Sequence, residues 1–161
     1  MVHVSSRLCK NGFLNPKDID GNDENGGQYS LWKRYGTAKL SQIAYSNELH
    51  RRFARDALPV TSNAVTPGVV DTELGRFMGL PLQILSWPVR KCLMRTPVEG
   101  SLAVVQAALE PALEAQGGNF LGEDGLRVEV KPEASDATLA AALWEAWATA
   151  CGGRLGAQRS D

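Results

Sequence analysis

The sequence of 161 residues holds no run of about 18 apolar residues, the length a helix needs to cross a bilayer. Its first residues, Met1-Val2-His3-Val4-Ser5-Ser6, offer neither the basic stretch nor the apolar stretch of a secretory signal. Cysteine is scarce: Cys9, Cys92 and Cys151 lie far apart, are odd in number and form no Cys-x-x-Cys pair. Neither a zinc site nor a disulfide framework is indicated, and three reduced thiols are expected. The two histidines, His3 and His50, show no metal-ligand spacing. A formal charge of -1, with acids and bases interspersed, excludes a broad nucleic-acid surface, which needs a basic excess. Together these absences lead to the expectation of a cytoplasmic or membrane-peripheral protein. What remains is an ordinary globular balance, 43% hydrophobic and 22% charged, sufficient for one domain with a core.

The pattern along the chain alternates short β-branched stretches with longer helical ones. Val2 to Val4 reads as the end of a buried strand. Ser5 to Ser30 is polar and rich in Asn, Asp and Gly, a long loop that reads equally as a functional loop or as a variable insertion. Leu31 to Ala57 reads as a helix with an apolar stripe of Leu40, Ile43 and Ala44, continued by Phe53 and Ala57, and stopped by Pro59. Arg51, Arg52 and Arg55 stand near its C-terminal end, where cations suit the helix dipole. Val60 to Thr66 reads as a strand closed by Pro67-Gly68.

Beyond it, Phe77 to Trp87 is apolar but interrupted by proline, giving short broken helices at best. It is apolar enough to cover a lipophilic molecule, to touch a membrane or to pack in a core. Thr96-Pro97-Val98-Glu99 is a helix start, with Thr as N-cap, Pro at the first position and Glu at the third, and that helix is expected to run to about Ala115. Asn119 to Leu121 can be a short strand. A last helix begins near Ser135, with Leu139, Ala142, Leu143, Ala146 and Trp147 on one face, and Gly152-Gly153 ends it. Trp144 and Trp147 can pack on the sheet or form a subunit contact. Strands alternating with helices imply α/β architecture with parallel strands. Only about three strands can be counted and the chain opens in mid-strand, so part of the sheet is expected to be missing from this sequence.

Three elements carry candidate chemistry. Tyr35 and Lys39 stand four apart on the first helix, so their side chains share a face. A free tyrosine titrates near 10, too high for a base at neutral pH, and a neighbouring ammonium favours the phenolate. Such a tyrosine can exchange a proton with an alcohol or carbonyl oxygen. On many helices the same spacing is merely a surface pair. Ser5-Ser6 follows the first strand, at the carboxyl edge where open α/β sheets bind ligands, although local turn bonding would also explain a loop Ser-Ser. Pro67-Gly68-Val69-Val70-Asp71-Thr72 leaves the second strand, lets backbone approach a ligand and supplies the Thr72 hydroxyl, which can equally serve as a helix N-cap.

In this order the three elements resemble the short-chain dehydrogenase/reductase family. Val2-His3-Val4-Ser5-Ser6-Arg7-Leu8 is similar to its catalytic-serine strand. Tyr35-Gly36-Thr37-Ala38-Lys39-Leu40 is similar to its Tyr-x-x-x-Lys helix, and Pro67 to Leu74 to the segment that closes over the nicotinamide. The long spacer before Tyr35 and the stretch Thr96 to Gly100 resemble the retinol dehydrogenase-like and WW-domain-oxidoreductase-like branch.

The resemblance implies the C-terminal part of a Rossmann-type, doubly wound parallel sheet over residues 1–151, with 152–161 a flexible tail. It implies NADP or NAD as cofactor and a lipophilic alcohol, aldehyde or ketone as substrate. Tyr35 would be the general acid/base. Lys39 would lower its pKa and bind the nicotinamide ribose, and Ser6 would hold the reacting oxygen. Pro67, Gly68, Val69, Val70 and Thr72 would contact the nicotinamide end.

The sequence departs from the family pattern in one respect. No Gly-x-Gly-x-x-Gly or close relative occurs, so the turn that cradles the cofactor pyrophosphate is absent, as is the Asn-Asn-Ala-Gly strand. The N-terminal cofactor-phosphate-binding half is therefore expected to be missing, and the chain alone is expected to bind dinucleotides weakly. An open sheet edge further leads to the expectation of a homo-oligomer. The rival reading is a truncated, inactive fragment that serves at most as a binding or dimerising module.

Overall fold

A computed structural model of the chain describes residues 1–19, 31–70 and 94–152. Three strands, β1 (Val2–Val4), β2 (Asn63–Val65) and β3 (Phe120–Leu121), form a parallel sheet in that spatial order. Val2 stands opposite Asn63, and Ala64 opposite Phe120. Three helices accompany them: α1 (Leu31–Arg55), α2 (Pro97–Leu109) and α3 (Ala137–Ala150). Short 3₁₀ turns occupy Arg7–Asn11, Pro111–Leu113 and Pro132–Ala134.

Strand alternation divides the core. Ala64 and Phe120 project to one face, where they join Leu40, Ile43 and Ala44 of α1 and Leu143 of α3. The next residues, Val65 and Leu121, project to the other, against Ala103 and Ala107 of α2. Helices thus cover both faces, as a parallel sheet requires, and the expected α/β architecture is the one observed. Leu40 and Ile43, both 0% exposed, each contribute on the order of 1.5–3 kcal/mol by burial.

Element ends differ from the sequence expectation in ways that local chemistry explains. Helix α1 stops at Arg55 rather than Ala57. Ala57 adopts φ 53°, and Leu58 N–H reaches back to Phe53 O at 2.9 Å while Ala57 N–H reaches Ala54 O. This is a Schellman closure, with alanine in the left-handed position usually taken by glycine. Helix α2 stops at Leu109, well before Ala115, because Pro111 drives Glu110 out of the helical region to ψ 113°. Strand β2 is confined to Asn63–Val65, within the expected 60–66. Helix α3 starts after Asp136, whose carboxylate accepts from Thr138 N–H and Leu139 N–H, and Ala142 faces solvent. The capping box at Thr96 and Glu99 is as expected. Trp144 packs inward, stacked on Tyr45 with ring centres 5.2 Å apart, and Trp147 meets the same tyrosine edge-on. Cys9 is buried and unpaired. Thr72, Cys92 and the Phe77–Trp87 stretch lie outside the described residues.

One close approach fixes how the segment after β1 meets α1. A Cβ on Gly12 would fall inside contact distance of the carbonyl of Gly36 and of Thr37 N. A Cβ on Gly36 would lie 2.8 Å from both Gly12 N and Leu8 O. The two glycines let backbone touch backbone. Phe13 N–H donates to Thr37 Oγ1 at 3.2 Å beside this contact, and Lys131 Nζ donates to Gly12 O from the segment leading to α3.

Two substitutions test these local arguments by denaturant unfolding. Ala57→Gly should stabilise by about 1 kcal/mol, because it relieves a left-handed alanine. Gly36→Ala gains roughly 1 kcal/mol in helix propensity but forces a methyl against two backbone atoms, at a cost of about 1–3 kcal/mol or more. The clash should win, with net destabilisation of about 1–2 kcal/mol and a lower denaturation midpoint.

Candidate active site

The carboxyl end of β1 is the centre of the site. Ser5 N–H donates to Val65 O and Met1 O accepts from Asn63 N–H. In a parallel ladder this turns the backbone groups of Met1, His3 and Ser5 toward β2 and those of Val4 away from it. The outward Val4 carbonyl accepts a hydrogen bond from Lys39 Nζ at 3.1 Å. The same ammonium donates to Gln42 Oε1 at 3.1 Å. Burial pushes the Lys39 pKa below its ordinary value.

Tyr35 stands one turn earlier on α1, and its ring centre is 5.6 Å from Lys39 Nζ. The side chains therefore share a face as the four-residue spacing requires, with the cation over the ring. Tyr35 is 39% exposed, open to a molecule approaching the carboxyl edge of the sheet.

Ser6 follows directly. Its extended backbone caps the 3₁₀ turn Arg7–Asn11, and its Oγ accepts from Leu8 N–H at 3.2 Å. That bond uses a lone pair of the hydroxyl and leaves its proton free to donate. Ser5 points the other way: it is buried, and its Oγ donates to Lys39 O at 2.8 Å.

The exit from the neighbouring strand completes the edge. After β2, Thr66 N–H still pairs with Leu121 O, and Pro67 and Gly68 then leave the sheet. Gly68 has φ +80°, a conformation suited to glycine. The side chains of Arg95 and Glu123 lie 3.5 Å from where its Cβ would stand. Val69 is exposed, and its carbonyl accepts from Arg95 N–H at 2.8 Å, while Val70 bridges to Arg95. Arg95 Nη1 donates to Glu123 O. The Glu123 carboxylate in turn accepts from Arg7 Nε and Nη2, at 3.1 and 2.9 Å. A hydrogen bond from its own backbone, then Arg7, hold that carboxyl below the usual range.

Ser6, Tyr35 and Lys39 thus gather at the end of β1, and Pro67, Gly68, Val69 and Val70 leave the adjacent strand at the same edge. Arg7, Glu123 and Arg95, which tie the ends of β1, β2 and β3 together, were not picked out from the sequence. Neither were Thr37 and Gly12, and Ser5 was named only as a member of the Ser5-Ser6 pair. They are common residue types whose partners lie up to 116 positions away, and only the adjacency of Ser5 to Ser6 and of Gly36 to Tyr35 pointed to any of them.

Comparison with known proteins identifies the family. No protein-family model matches the chain. Retinol dehydrogenase 14 of Homo sapiens is 33% identical over 151 residues, covering 90% of this chain and 42% of the relative. Polyprenol dehydrogenase of Danio rerio is 36% identical over 145 residues, covering 90% of the chain and 43% of the relative. The chain therefore spans less than half the length of the curated relatives it matches. Among solved structures, the crystal structure of an uncharacterised protein from Mycobacterium paratuberculosis matches with a TM-score of 0.56 and 24% identity, over 92% of this chain and 48% of that one, a likeness of fold. No helix among the described residues is long and apolar enough to cross a membrane. By its sequence relatives and its fold, the chain belongs to the short-chain dehydrogenase/reductase family, in the retinol dehydrogenase-like branch.

Proposed function

We propose that residues 1–151 carry the catalytic part of an NAD(P)-dependent oxidoreductase that interconverts a lipophilic alcohol with its aldehyde or ketone. The observation that carries this reading is the joining of Lys39 to both the Tyr35 ring and the end of the Ser6-bearing strand. The relatives named for retinol and polyprenol support an alcohol of long apolar character, and the Phe77–Trp87 stretch would supply apolar cover. Peripheral membrane contact and homo-oligomerisation accord with the same reading.

The residues fit the nicotinamide end of such a cofactor. A partly desolvated ammonium and an exposed phenol lie beside a strand exit that turns at positive φ. Lys39 would hold the ribose hydroxyls, and Pro67, Gly68, Val69, Val70 and Thr72 would border the ring. When bound, the nicotinamide supplies or accepts the hydride. The chain's own residues manage the proton. Ser6 donates its free hydroxyl proton to the reacting oxygen and orients it. Tyr35 gives that oxygen a proton in reduction or takes one in oxidation. The choice of NADP or NAD rests on residues outside this edge.

The missing Gly-rich turn favours a second reading for the chain by itself, that of a fragment that binds or dimerises without turnover. The catalytic reading is therefore tested in the chain complemented by a cofactor-phosphate-binding half. With a lipophilic aldehyde as substrate, Tyr35→Phe should lower steady-state turnover by about 10²–10⁴-fold while leaving cofactor titration nearly unchanged. Lys39→Ala should damage both, and Ser6→Ala turnover more than cofactor affinity. Near-normal turnover in Tyr35→Phe would remove Tyr35 from the acid/base role.

A further inference from the structure

Lys39 is fastened at both ends by consecutive residues, the last of β1 and the one that follows it. Its Nζ donates to the Val4 carbonyl at 3.1 Å, and its main-chain carbonyl accepts from the Ser5 hydroxyl at 2.8 Å. Within an α-helix that carbonyl already has an intrahelical partner four residues on, so helix formation does not require the Ser5 bond. Ser5 is 3% exposed, and its N–H is held by Val65 O in the sheet, so its hydroxyl is a fixed strut between β1 and α1.

A second strut lies on the same turn, two residues after Tyr35. Thr37, 4% exposed, accepts the Phe13 N–H, where Gly12 and Gly36 press backbone to backbone. Residues 6 to 13, with Ser6 at their head, are therefore pinned to α1 at its 36–39 turn, immediately after Tyr35. A hydroxyl on a buried strut has few other partners to choose, so each bond fixes a distance as well as adding stability.

We propose that Ser5 and Thr37 are positioning residues, which hold the Ser6 turn and the Tyr35–Lys39 turn of α1 in one fixed register. The proposal rests on the catalytic reading of Ser6, Tyr35 and Lys39. Neither strut touches the reacting atoms; Ser5 acts through the backbone of Lys39, and Thr37 through the backbone of Phe13 at the end of the Ser6 turn. The geometry demands precision because a proton passes between groups on two separate elements, and an error of about 1 Å in such placement can cost on the order of 10²-fold in rate.

Two readouts separate positioning from plain stability. The first needs no turnover: competitive acetylation of the whole chain across pH, with mass spectrometry, gives the titration midpoint of Lys39. Its Nζ faces the Val4 carbonyl, Gln42 Oε1 and the Tyr35 ring. In the wild-type chain the midpoint should lie below that of the exposed lysines. In Ser5→Ala it should move up toward them as the ammonium regains water. The second is steady-state kinetics in the complemented enzyme, below the thermal midpoint of every variant. Ser5→Ala and Thr37→Val should lower kcat at least tenfold with little change in KM for the aldehyde, and Thr37→Ser, which keeps the hydroxyl, should restore most of it. Unchanged Lys39 titration in Ser5→Ala, or Thr37→Val and Thr37→Ser equally active, would overturn the proposal. If the wild-type complemented enzyme shows no turnover, the catalytic reading fails, and the Lys39 midpoint alone decides whether the strut holds.

Discussion

The contact between Gly12 and Gly36 is the constraint from which the rest of the site follows. It brings the backbone that leaves β1 against the backbone of α1 at a separation no side chain would permit. Without it, Phe13 N–H could not reach Thr37 Oγ1, and the hydroxyl of Ser5 would stand too far from the Lys39 carbonyl. Close packing of this kind has two discrete states, in contact or apart, and does not stretch continuously. The register of the Ser6 turn against the Tyr35–Lys39 face is thereby set by main chain, which is the least adaptable part of the molecule.

A ring of charge closes the same edge from the other side. Arg7, directly after Ser6, binds Glu123 beyond β3, and Arg95 binds the Glu123 carbonyl while its side chain covers Gly68. The ends of three strands are linked by one acid and two bases. In the Arg7–Glu123 pair the arginine is half exposed, and the pair contributes little to stability by itself. Its value is geometric, because it holds the exit from β2 near the exit from β1. Both ties lie at the carboxyl edge of the sheet, the edge at which open α/β folds receive their ligands.

The parts legible in the sequence were those written locally. Helix α1 shows its period in Leu40, Ile43 and Ala44, all fully buried, and the Thr96–Glu99 capping box needs only four residues to declare itself. The Tyr35–Lys39 pair is a spacing on one helix, and the geometry follows from 3.6 residues per turn. Local rules misjudged ends where two signals competed. Pro59 reads as the stop of α1 after Ala57, but a left-handed Ala57 ends it two residues sooner, at Arg55. Pro111 breaks α2 at Leu109, whereas the periodic pattern alone carries the helix on to about Ala115. Thr37, Arg7, Glu123 and the bond of Ser5 to α1 were illegible for a different reason. Each acquires meaning only from a partner distant in sequence, and one chain without its fold gives no sign of which pairs meet.

The central claim is that the segment carrying Ser6 is clamped to the helix carrying Tyr35 and Lys39. Native-state hydrogen exchange of the Phe13 amide reads that clamp directly, since this N–H has the Thr37 hydroxyl as its partner and lies outside any regular element. The account predicts that Phe13 exchanges orders of magnitude more slowly than an unprotected loop amide, and that replacing Thr37 by valine abolishes the protection while amides in the middle of α1 keep theirs. A Phe13 amide that exchanges at the unprotected rate in the wild-type chain would contradict it.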